Sequence, residues 1–179
     1  MREVEVKIKI SNPEETIRIL LKQGCVLSEP IKQRDVVYIP NKVPTVPCPA
    51  GTNVLRIRYQ GSKSLFSLKR SDAGNHLSKL EYELEISEPE KMDAIIKAMG
   101  FKIITDTTKT RKKCRIKDYE ICVDSVNDLG DYLEIEKITD QDPQKVQQEM
   151  LKFLQDLGID TSERINVGYD VLYARKYNL

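Results

Sequence analysis

The stretch MREVEVKIKI, residues 1–10, decides how this chain folds, because charged and aliphatic side chains alternate in it without a break. The charged positions are Glu3, Glu5 and Lys7, and the aliphatic positions between them are Val4, Val6 and Ile8. Successive side chains of a β-strand point to opposite faces, so one face of this strand is aliphatic and the other is ionic. The pattern predicts an antiparallel strand whose aliphatic face covers a core.

Most later strand-like segments show the same alternation, with charged side chains at every second position. The ionic positions are Arg56 and Arg58, Lys69, Glu81 and Glu83, the run Lys109, Arg111, Lys113 and Arg115, the pair Glu120 and Asp124, and the pair Glu134 and Glu136. Like charges on one face of a sheet repel each other unless something compensates them. Two interpretations stay open: a solvated sheet face, or an inward face of a curled sheet that binds a divalent metal and a polyanion.

Hydrophobic periodicity and turn residues predict the order of the secondary structure. The expected strands are 2–10, 33–39, 54–60, 64–70, 79–86, 111–117, 119–126 and 131–138. Three helices are expected to begin at Pro13, Pro89 and Pro143 and to stop at Gly24, Gly100 and Gly158, with a short fourth helix after Gly168. This order favours an α+β fold with an antiparallel sheet, in a single domain that covers residues 1–179.

Composition excludes several classes of function. The net charge of +1 supplies no global field for nucleic acid or an anionic membrane, and no segment has the length of a membrane span or the apolar run of a signal peptide. We therefore expect a cytoplasmic protein. The four cysteines form no CxxC pair, and His76 is the single histidine, which argues against a zinc site or a Cys/His catalytic pair. Cys114 and Cys122 are expected to face each other across a hairpin, where a reducing cytosol disfavours a disulfide.

An ordered set of motifs resembles the CYTH superfamily, also called triphosphate tunnel metalloenzymes. The motifs are EVEVK, LRIR, SLKR, EYELE, KTR, VDSVNDLGDYLEIE and GYDVLY, and together they extend over nearly the whole chain. The LGDYLEIE segment is especially similar to the class IV adenylyl cyclase branch. The resemblance implies an eight-stranded antiparallel β-barrel, or tunnel, with flanking helices and with the charged faces inside.

The resemblance also implies roles for individual residues. The metal ligands, for Mg²⁺ or Mn²⁺, would be Glu3, Glu5, Asp124, Glu134 and Glu136. The triphosphate would be bound by Lys7, Arg56, Arg58, Lys69, Lys109 and Arg111; Lys7, Arg111 and Glu134 would be catalytic, and Glu81 and Glu83 are further candidates. Lys113 and Arg115 match nothing in the family and are interpreted as a solvated strand end. Gly168 replaces the serine of a Ser-Tyr motif, so Tyr169 and Tyr173 are as well explained by packing of the last helix.

Three functions follow from these residues. The first is a class IV adenylyl cyclase-like enzyme that converts ATP to cyclic AMP and pyrophosphate. The second is a triphosphatase acting on tripolyphosphate, thiamine triphosphate or a nucleoside triphosphate, and the third is a non-catalytic polyphosphate-binding module, which would not need the carboxylates. A monomer or a homodimer is expected, with an alkaline pH optimum because no histidine is placed as a base. Removing a metal-binding carboxylate is expected to relieve repulsion and even to raise stability.

Overall fold

The structure of the protein is a computed structural model that describes residues 2–44, 46–72 and 75–179, without the side chains of residues 72, 75 and 76. The strands are β1 (Arg2–Lys9), β2 (Ile31–Pro40), β3 (Val54–Gln60), β4 (Lys63–Asp72), β5 (Asn75–Ile86), β6 (Phe101–Ile116), β7 (Tyr119–Val126), β8 (Gly130–Thr139) and the two-residue β9 (Arg164–Ile165). The helices are α1 (Pro13–Lys22), α2 (Pro89–Ala98), α3 (Pro143–Asp156) and α4 (Tyr169–Tyr177).

Eight antiparallel strands close into a barrel. Hydrogen bonds join them in the order β5-β4-β3-β2-β6-β7-β8-β1, and β1 closes the circle by pairing with β5. The closing contact is short, because only Glu3 and Val4 pair with Lys79 and Ser78 of β5. Further along the same strand, Lys7 pairs with β9 instead. The predicted eight-stranded antiparallel barrel with flanking helices is confirmed.

Local sequence explains where the helices begin and end. The Asn12 side chain accepts a hydrogen bond from the backbone of Glu15 at 3.0 Å, and the Asp142 side chain accepts one from Lys145 at 2.9 Å. Both caps precede a proline in the first turn, where the missing backbone N–H costs nothing. After α3 the chain turns at Gly158, which has a φ of 82°, a conformation that glycine adopts without strain. No helix in the described ranges is long and apolar enough to cross a membrane.

Two apolar cores cover the outside of the barrel. The larger core lies under α1 and α3 and includes Val4, Val6, Ile8, Leu20, Ile121, Leu133, Ile135, Val146, Met150 and Leu154. The smaller core lies against α2 and consists of Val36, Tyr38, Leu55, Ile57 and Ile96. The aliphatic parity of the opening strand therefore packs beneath helices, as predicted, and its charged parity points into the barrel.

The strand predictions were least accurate around β6. The expected strand 111–117 is the end of a 16-residue strand, Phe101–Ile116, that pairs with β2 through its first two thirds and with β7 through its last half. The missed part is residues 101–110, FKIITDTTKT, whose last six residues mix four threonines with charged residues, and the β-branched threonines suit a strand without giving a hydrophobic signal. The two-residue β9 is too short to leave a periodic signal. The expected turn at residues 71–76 lies partly outside the described residues.

The cysteine prediction was wrong. Cys114 forms a disulfide with Cys25, across a Cα–Cα distance of 6.1 Å, and Cys122 is free. The β6–β7 register places Cys114 opposite Ile121 and Cys122 opposite Lys113, so the two sulfur atoms lie on different faces of the sheet. The disulfide is consequently buried in the larger apolar core.

Candidate active site

The inner face of the barrel encloses a cavity of about 220 Å³, lined by residues from all eight barrel strands and by residues 168–170. Most of the residues that the sequence assigned to a site lie on this lining. They are Glu3, Glu5, Lys7, Arg56, Arg58, Lys69, Glu81, Glu83, Lys109, Arg111, Glu134 and Glu136. The barrel thus brings together side chains that are separated by up to 133 positions in the sequence, and Asp124 alone of the assigned set is absent from the lining.

The lining has two chemically different walls. We call the part contributed by β1, β6, β7, β8 and residues 168–170 the carboxylate-rich wall, and the part contributed by β2–β5 the cation-rich wall. Among the described lining residues, the first wall has six acidic and four basic side chains, whereas the second has three acidic and four basic ones. The carboxylate-rich wall is therefore suited to a metal ion, and the cation-rich wall to an anion.

Lys7 lies at the centre of the carboxylate-rich wall. Its Nζ is 2.9 Å from Glu5 Oε1 and 3.0 Å from Glu134 Oε1, and it donates to the Val167 carbonyl at 3.2 Å. The Tyr169 ring lies beneath the same ammonium, with its centroid at 4.4 Å. Burial opposes the charged form of Lys7, but the two carboxylates outweigh it and raise the pKa of Lys7 above its usual value. Lys7 is consequently a permanent cation that is held by several neighbours.

Arg111 joins two buried carboxylates in the same wall. Its Nε donates to Asp124 Oδ1 at 2.7 Å, and its Nη2 contacts Glu134. The second oxygen of Asp124 accepts from Lys109 Nζ at 3.0 Å and from the Tyr169 hydroxyl at 3.0 Å. Asp124 is fully buried behind the lining with both oxygens occupied. Its assignment as a metal ligand stays a prediction that would require these contacts to rearrange.

Glu136 has weaker partners than the other glutamates of this wall. The nearest cationic nitrogen in its described ion pairs is Arg111 Nη1, at 3.8 Å. Burial, followed by the nearby carboxylate of Glu3, raises the pKa of Glu136 to about 8. Donor atoms of Glu120 and Cys122 lie within 4.8 Å of a Glu136 oxygen and of each other. Glu136 is therefore the glutamate of this wall that is best placed to gain a new cation.

The cation-rich wall is a network of guanidinium–carboxylate contacts. Arg58 donates to both oxygens of Asp35, at 2.7 Å and 2.6 Å. Arg56 Nη2 donates to Glu81 at 3.1 Å and to Glu83 at 2.9 Å, while its Nε donates to the Ser67 hydroxyl. Bidentate and shared guanidinium contacts of this kind hold a planar array of donors in place. The array faces the cavity.

Sequence reasoning missed Asp35 and Lys79 and misread Lys113. Lys79 has the same parity as Glu81 and Glu83, so extending the EYELE pattern by two residues would have found it. Asp35 is the acidic residue of β2. The sequence pattern did not select it, and its place in the site is evident only from its ion pair with Arg58. Lys113 lines the cavity and pairs with Glu120 at 3.0 Å, which corrects its interpretation as a solvated strand end.

The last helix also differs from its expected role. Tyr169 lines the cavity, whereas Tyr173 packs on Tyr177 with ring centroids 4.6 Å apart. The sequence left both tyrosines as packing residues because Gly168 departs from the serine of the family motif. The structure separates them: the first contacts Lys7 and the second stays within the helix. Arg115, at the end of β6, is exposed and absent from the described lining, in agreement with its interpretation as a solvated residue.

Internal ion pairs change one expectation about stability. Glu5 and Glu134 do not simply repel each other, since Lys7 lies between them and Arg111 also contacts Glu134. Burial raises the pKa of Glu5, but Lys7 and Lys79 outweigh it and lower that pKa to about 2. Removing either carboxylate would take one of its partners from buried Lys7, which costs stability. These ion pairs argue against the expected gain in stability on removing Glu5 or Glu134, which stays a prediction for unfolding measurements to test.

Comparison with known proteins identifies relatives across nearly the whole chain. The family model of the CYTH domain matches residues 1–169. A protein of Methanocaldococcus jannaschii, named as a candidate adenylate cyclase, is 31% identical over 173 residues, which cover 94% of this chain and 97% of that protein.

Solved structures share the fold. A protein from Pyrococcus horikoshii OT3 superposes with a TM-score of 0.79 at 24% identity and covers 94% of this chain and 97% of its own. A candidate adenylyl cyclase from Hippeastrum, for which a dominant triphosphatase activity is described, superposes with a TM-score of 0.64 at 16% identity and covers 99% of this chain and 95% of its own. At these identities the superpositions show a common fold.

Proposed function

This chain belongs to the CYTH domain family, and we propose that it is a metal-dependent enzyme that hydrolyses the terminal phosphoanhydride bond of a linear triphosphate inside its barrel. The observation that carries the proposal is the division of one cavity into a carboxylate-rich wall and a cation-rich wall. A metal–triphosphate complex has the complementary arrangement, with a cation on one side and phosphate oxygens on the other.

The depth of the charged groups supports a terminal phosphate as the reacting group. The side chains of Lys7, Lys109 and Arg111 are only 2%, 7% and 6% exposed, whereas those of Lys113 and Glu83 are 38% exposed. An anion that enters past the exposed groups would reach the deep cations with its end first. The cavity of about 220 Å³ is smaller than the roughly 300–1,000 Å³ of pockets that enclose whole drug-sized ligands. It therefore favours the phosphate chain over a complete nucleotide.

The carboxylates fit a divalent metal by their chemistry. Glu3, Glu5, Glu134 and Glu136 all line the cavity and offer oxygen donors, which Mg²⁺ and Mn²⁺ prefer. Held by these residues, such an ion would neutralise phosphate charge and favour deprotonation of a nearby water molecule. This donor set is our proposal for the metal site.

The basic residues would stabilise the transition state of hydrolysis. Water attacks the terminal phosphorus and loses a proton to solvent, while the bond between that phosphorus and the bridging oxygen breaks. Negative charge then grows on the leaving oxygen and on the transferred phosphoryl group. Lys7, Lys109 and Arg111 at the deep end would bind the transferred group, and Arg56 and Arg58 would bind the leaving chain.

Cyclisation of ATP is the second candidate function. The name of the Methanocaldococcus jannaschii relative and the similarity of LGDYLEIE to class IV adenylyl cyclases favour it. The same cations would then bind the β- and γ-phosphates as the leaving pyrophosphate, with the ribose 3′-hydroxyl attacking the α-phosphorus. This reaction requires the nucleoside to enter the cavity along with its phosphates.

Product analysis distinguishes the two reactions. The protein is incubated with tripolyphosphate, thiamine triphosphate or ATP in Mg²⁺ or Mn²⁺, and orthophosphate, pyrophosphate and cyclic AMP are measured separately. Metal-dependent release of orthophosphate, lost in Glu134→Gln and kept in Glu85→Gln, would support hydrolysis; Glu85 is an exposed β5 residue outside the described lining. If cyclic AMP and pyrophosphate are the main products, the protein is a cyclase and the proposed hydrolysis is wrong. If no substrate is turned over, both proposed functions are wrong.

A further inference from the structure

Lys79 bridges two of the carboxylates that are proposed to bind metal. Its Nζ lies 2.5 Å from Glu5 Oε2 and 3.5 Å from Glu3 Oε1. The other oxygen of Glu5 is already bound by Lys7, so both oxygens of this carboxylate face an ammonium group. The Lys79 side chain is only 13% exposed. A divalent cation that uses Glu3 and Glu5 would have to take the position that Lys79 holds.

The two lysines around Glu5 differ in how firmly they are held. Lys7 also contacts Glu134, the Val167 carbonyl and the Tyr169 ring. In the described part of the chain, by contrast, the ion pairs of Lys79 are those with Glu3 and Glu5 alone. If a metal takes over both carboxylates, Lys7 keeps its other partners, whereas Lys79 loses its ion pairs and must find another anion.

We propose that Lys79 is a displaceable cation that occupies part of the metal site until Mg²⁺ or Mn²⁺ arrives and then binds a phosphate group of the substrate. The proposal rests on the proposed function and adds a role for a residue that the sequence did not identify. Lys79 belongs to the cation-rich wall, beside the Lys69–Glu81 pair on β4 and β5. Its ammonium is thus released next to the surface where the phosphate chain is expected to lie.

This exchange couples the metal to the anion. Before metal binds, Arg56, Arg58, Lys69 and Lys79 are all paired with carboxylates. Metal binding frees Lys79 for phosphate, so each ligand should raise the affinity of the other by the same factor. A lysine with a purely structural role would have a different signature: its loss would remove one partner from Glu3 and from Glu5, which keeps Lys7, and would weaken the binding of Mn²⁺ and of tripolyphosphate together.

The decisive experiment measures Mn²⁺ binding without any phosphate. Electron paramagnetic resonance titration gives the Kd of free Mn²⁺ for the parent, for Lys79→Met and for Lys63→Met. Lys63 is the control, since it also pairs with a glutamate, Glu85, across the neighbouring β4–β5 pair, has a 61% exposed side chain and is absent from the described lining. We expect Lys79→Met to bind Mn²⁺ at least tenfold more tightly than the parent, and Lys63→Met to stay within twofold.

A second titration tests the other half of the exchange. Tripolyphosphate binding is measured by calorimetry at a fixed free Mn²⁺ concentration, on ice and over times shorter than turnover. Lys79→Met should bind tripolyphosphate about tenfold more weakly than the parent although it binds the metal more tightly. These opposite changes separate an exchange of partners from a general loss of structure. Lys79→Gln, which keeps hydrogen-bonding groups, replaces Lys79→Met if thermal unfolding shows that the methionine variant does not fold.

The outcomes distinguish this proposal from the proposed function. Equal or weaker Mn²⁺ binding by the Lys79 variants, with a parent that binds normally, would overturn the role of Lys79 and leave the metal site intact. A parent that binds no Mn²⁺ at millimolar concentration would overturn both the metal site and the exchange. Tighter Mn²⁺ binding with unchanged tripolyphosphate binding would support the displacement of Lys79 by the metal. It would overturn the claim that the displaced Lys79 then binds phosphate.

Discussion

The two walls of the cavity are built on different supports. The carboxylate-rich wall is backed by the larger apolar core under α1 and α3, and the cation-rich wall mostly by the smaller core against α2. The lowest exposures occur in the carboxylate-rich wall: the side chains of Glu5 and Glu134 are 4% and 6% exposed, whereas those of Arg56 and Arg58 in the cation-rich wall are each 10% exposed. Charges are buried deepest where the apolar support is largest.

This difference fits the two tasks that we propose for the walls. A small divalent ion requires several oxygens at short and nearly fixed distances, so its ligands gain from a rigid, closely packed support. A phosphate chain can slide along a row of guanidinium and ammonium groups without losing all its contacts. The wall that binds it therefore tolerates more contact with solvent. Four changes test this contrast, in order of decreasing expected effect.

The largest effect is expected from Glu134→Ala in the carboxylate-rich wall. It removes a proposed metal ligand and leaves Lys7 and Arg111 short of a buried partner. Activity should fall at least 100-fold, since metal stabilisation of the transition state is worth several kcal/mol, and stability should fall by about 3–5 kcal/mol. Turnover and urea unfolding measure the two effects. Parent-like values of both would remove Glu134 from the site.

The disulfide should be the next most important element, because it lies in the core behind the same wall. Cys25 and Cys114 are 89 residues apart, and closing a loop of this length typically stabilises a protein by about 2–4 kcal/mol. Cys25→Ser should lower the denaturant midpoint accordingly, whereas Cys48→Ser, at a free and partly exposed cysteine, should not. A parent whose stability is the same before and after complete reduction would show that the bond contributes little.

A smaller effect is expected in the cation-rich wall. Arg56→Ala removes hydrogen bonds to an anion that are each worth about 1.5–3 kcal/mol, so tripolyphosphate should bind roughly 10- to 150-fold more weakly, with free Mn²⁺ binding unchanged. Arg34→Ala is the matched control, because Arg34 pairs with Asp106 outside the cavity. In a thermal-shift titration, tripolyphosphate should stabilise the parent more than orthophosphate does. Equal shifts from the two anions would contradict binding by several strands.

The smallest effect concerns the pH dependence of stability. Since the pKa of Glu136 is raised from its usual value near 4.5 to about 8, its contribution to stability is complete below about pH 4.5 and is lost as the pH rises through 8. Glu136→Gln should abolish this decline. The free energy of unfolding is measured in urea between pH 5 and 9, with Glu85→Gln as control. Parallel profiles for parent and Glu136→Gln would show that Glu136 does not titrate in this range.

The fold was largely predictable because the closed barrel repeats one simple pattern, an alternation of charged and aliphatic side chains, on most of its strands. The alternation in β1 fixed which side chains are buried under helices and which point inward, and the Asn12 and Asp142 caps fixed two helix starts. The first two thirds of β6 escaped prediction, since its threonines are compatible with either face of a sheet. The Cys25–Cys114 bond escaped too, because partners 89 residues apart meet only after the sheet has closed.

The sequence predicted most of the residues that form the candidate site, but it did not predict which of them pair with each other. Parity and family motifs selected almost all the charged side chains that line the cavity, yet they gave no information about which cation pairs with which carboxylate. Asp124 is an example: its sequence context suggests a ligand, but Lys109, Arg111 and Tyr169 enclose it behind the lining.

The sequence by itself determined that the ionic side chains share one face, because side-chain direction in a strand depends only on position along the chain. It also determined the strand–helix order that allows an antiparallel sheet to close. Only the tertiary structure decided that Lys79 lies between Glu3 and Glu5, since this contact depends on how β5 meets β1 when the barrel closes. The energy of an ion depends on the distances and burial of its neighbours, and those are fixed only when strands distant in sequence are brought side by side.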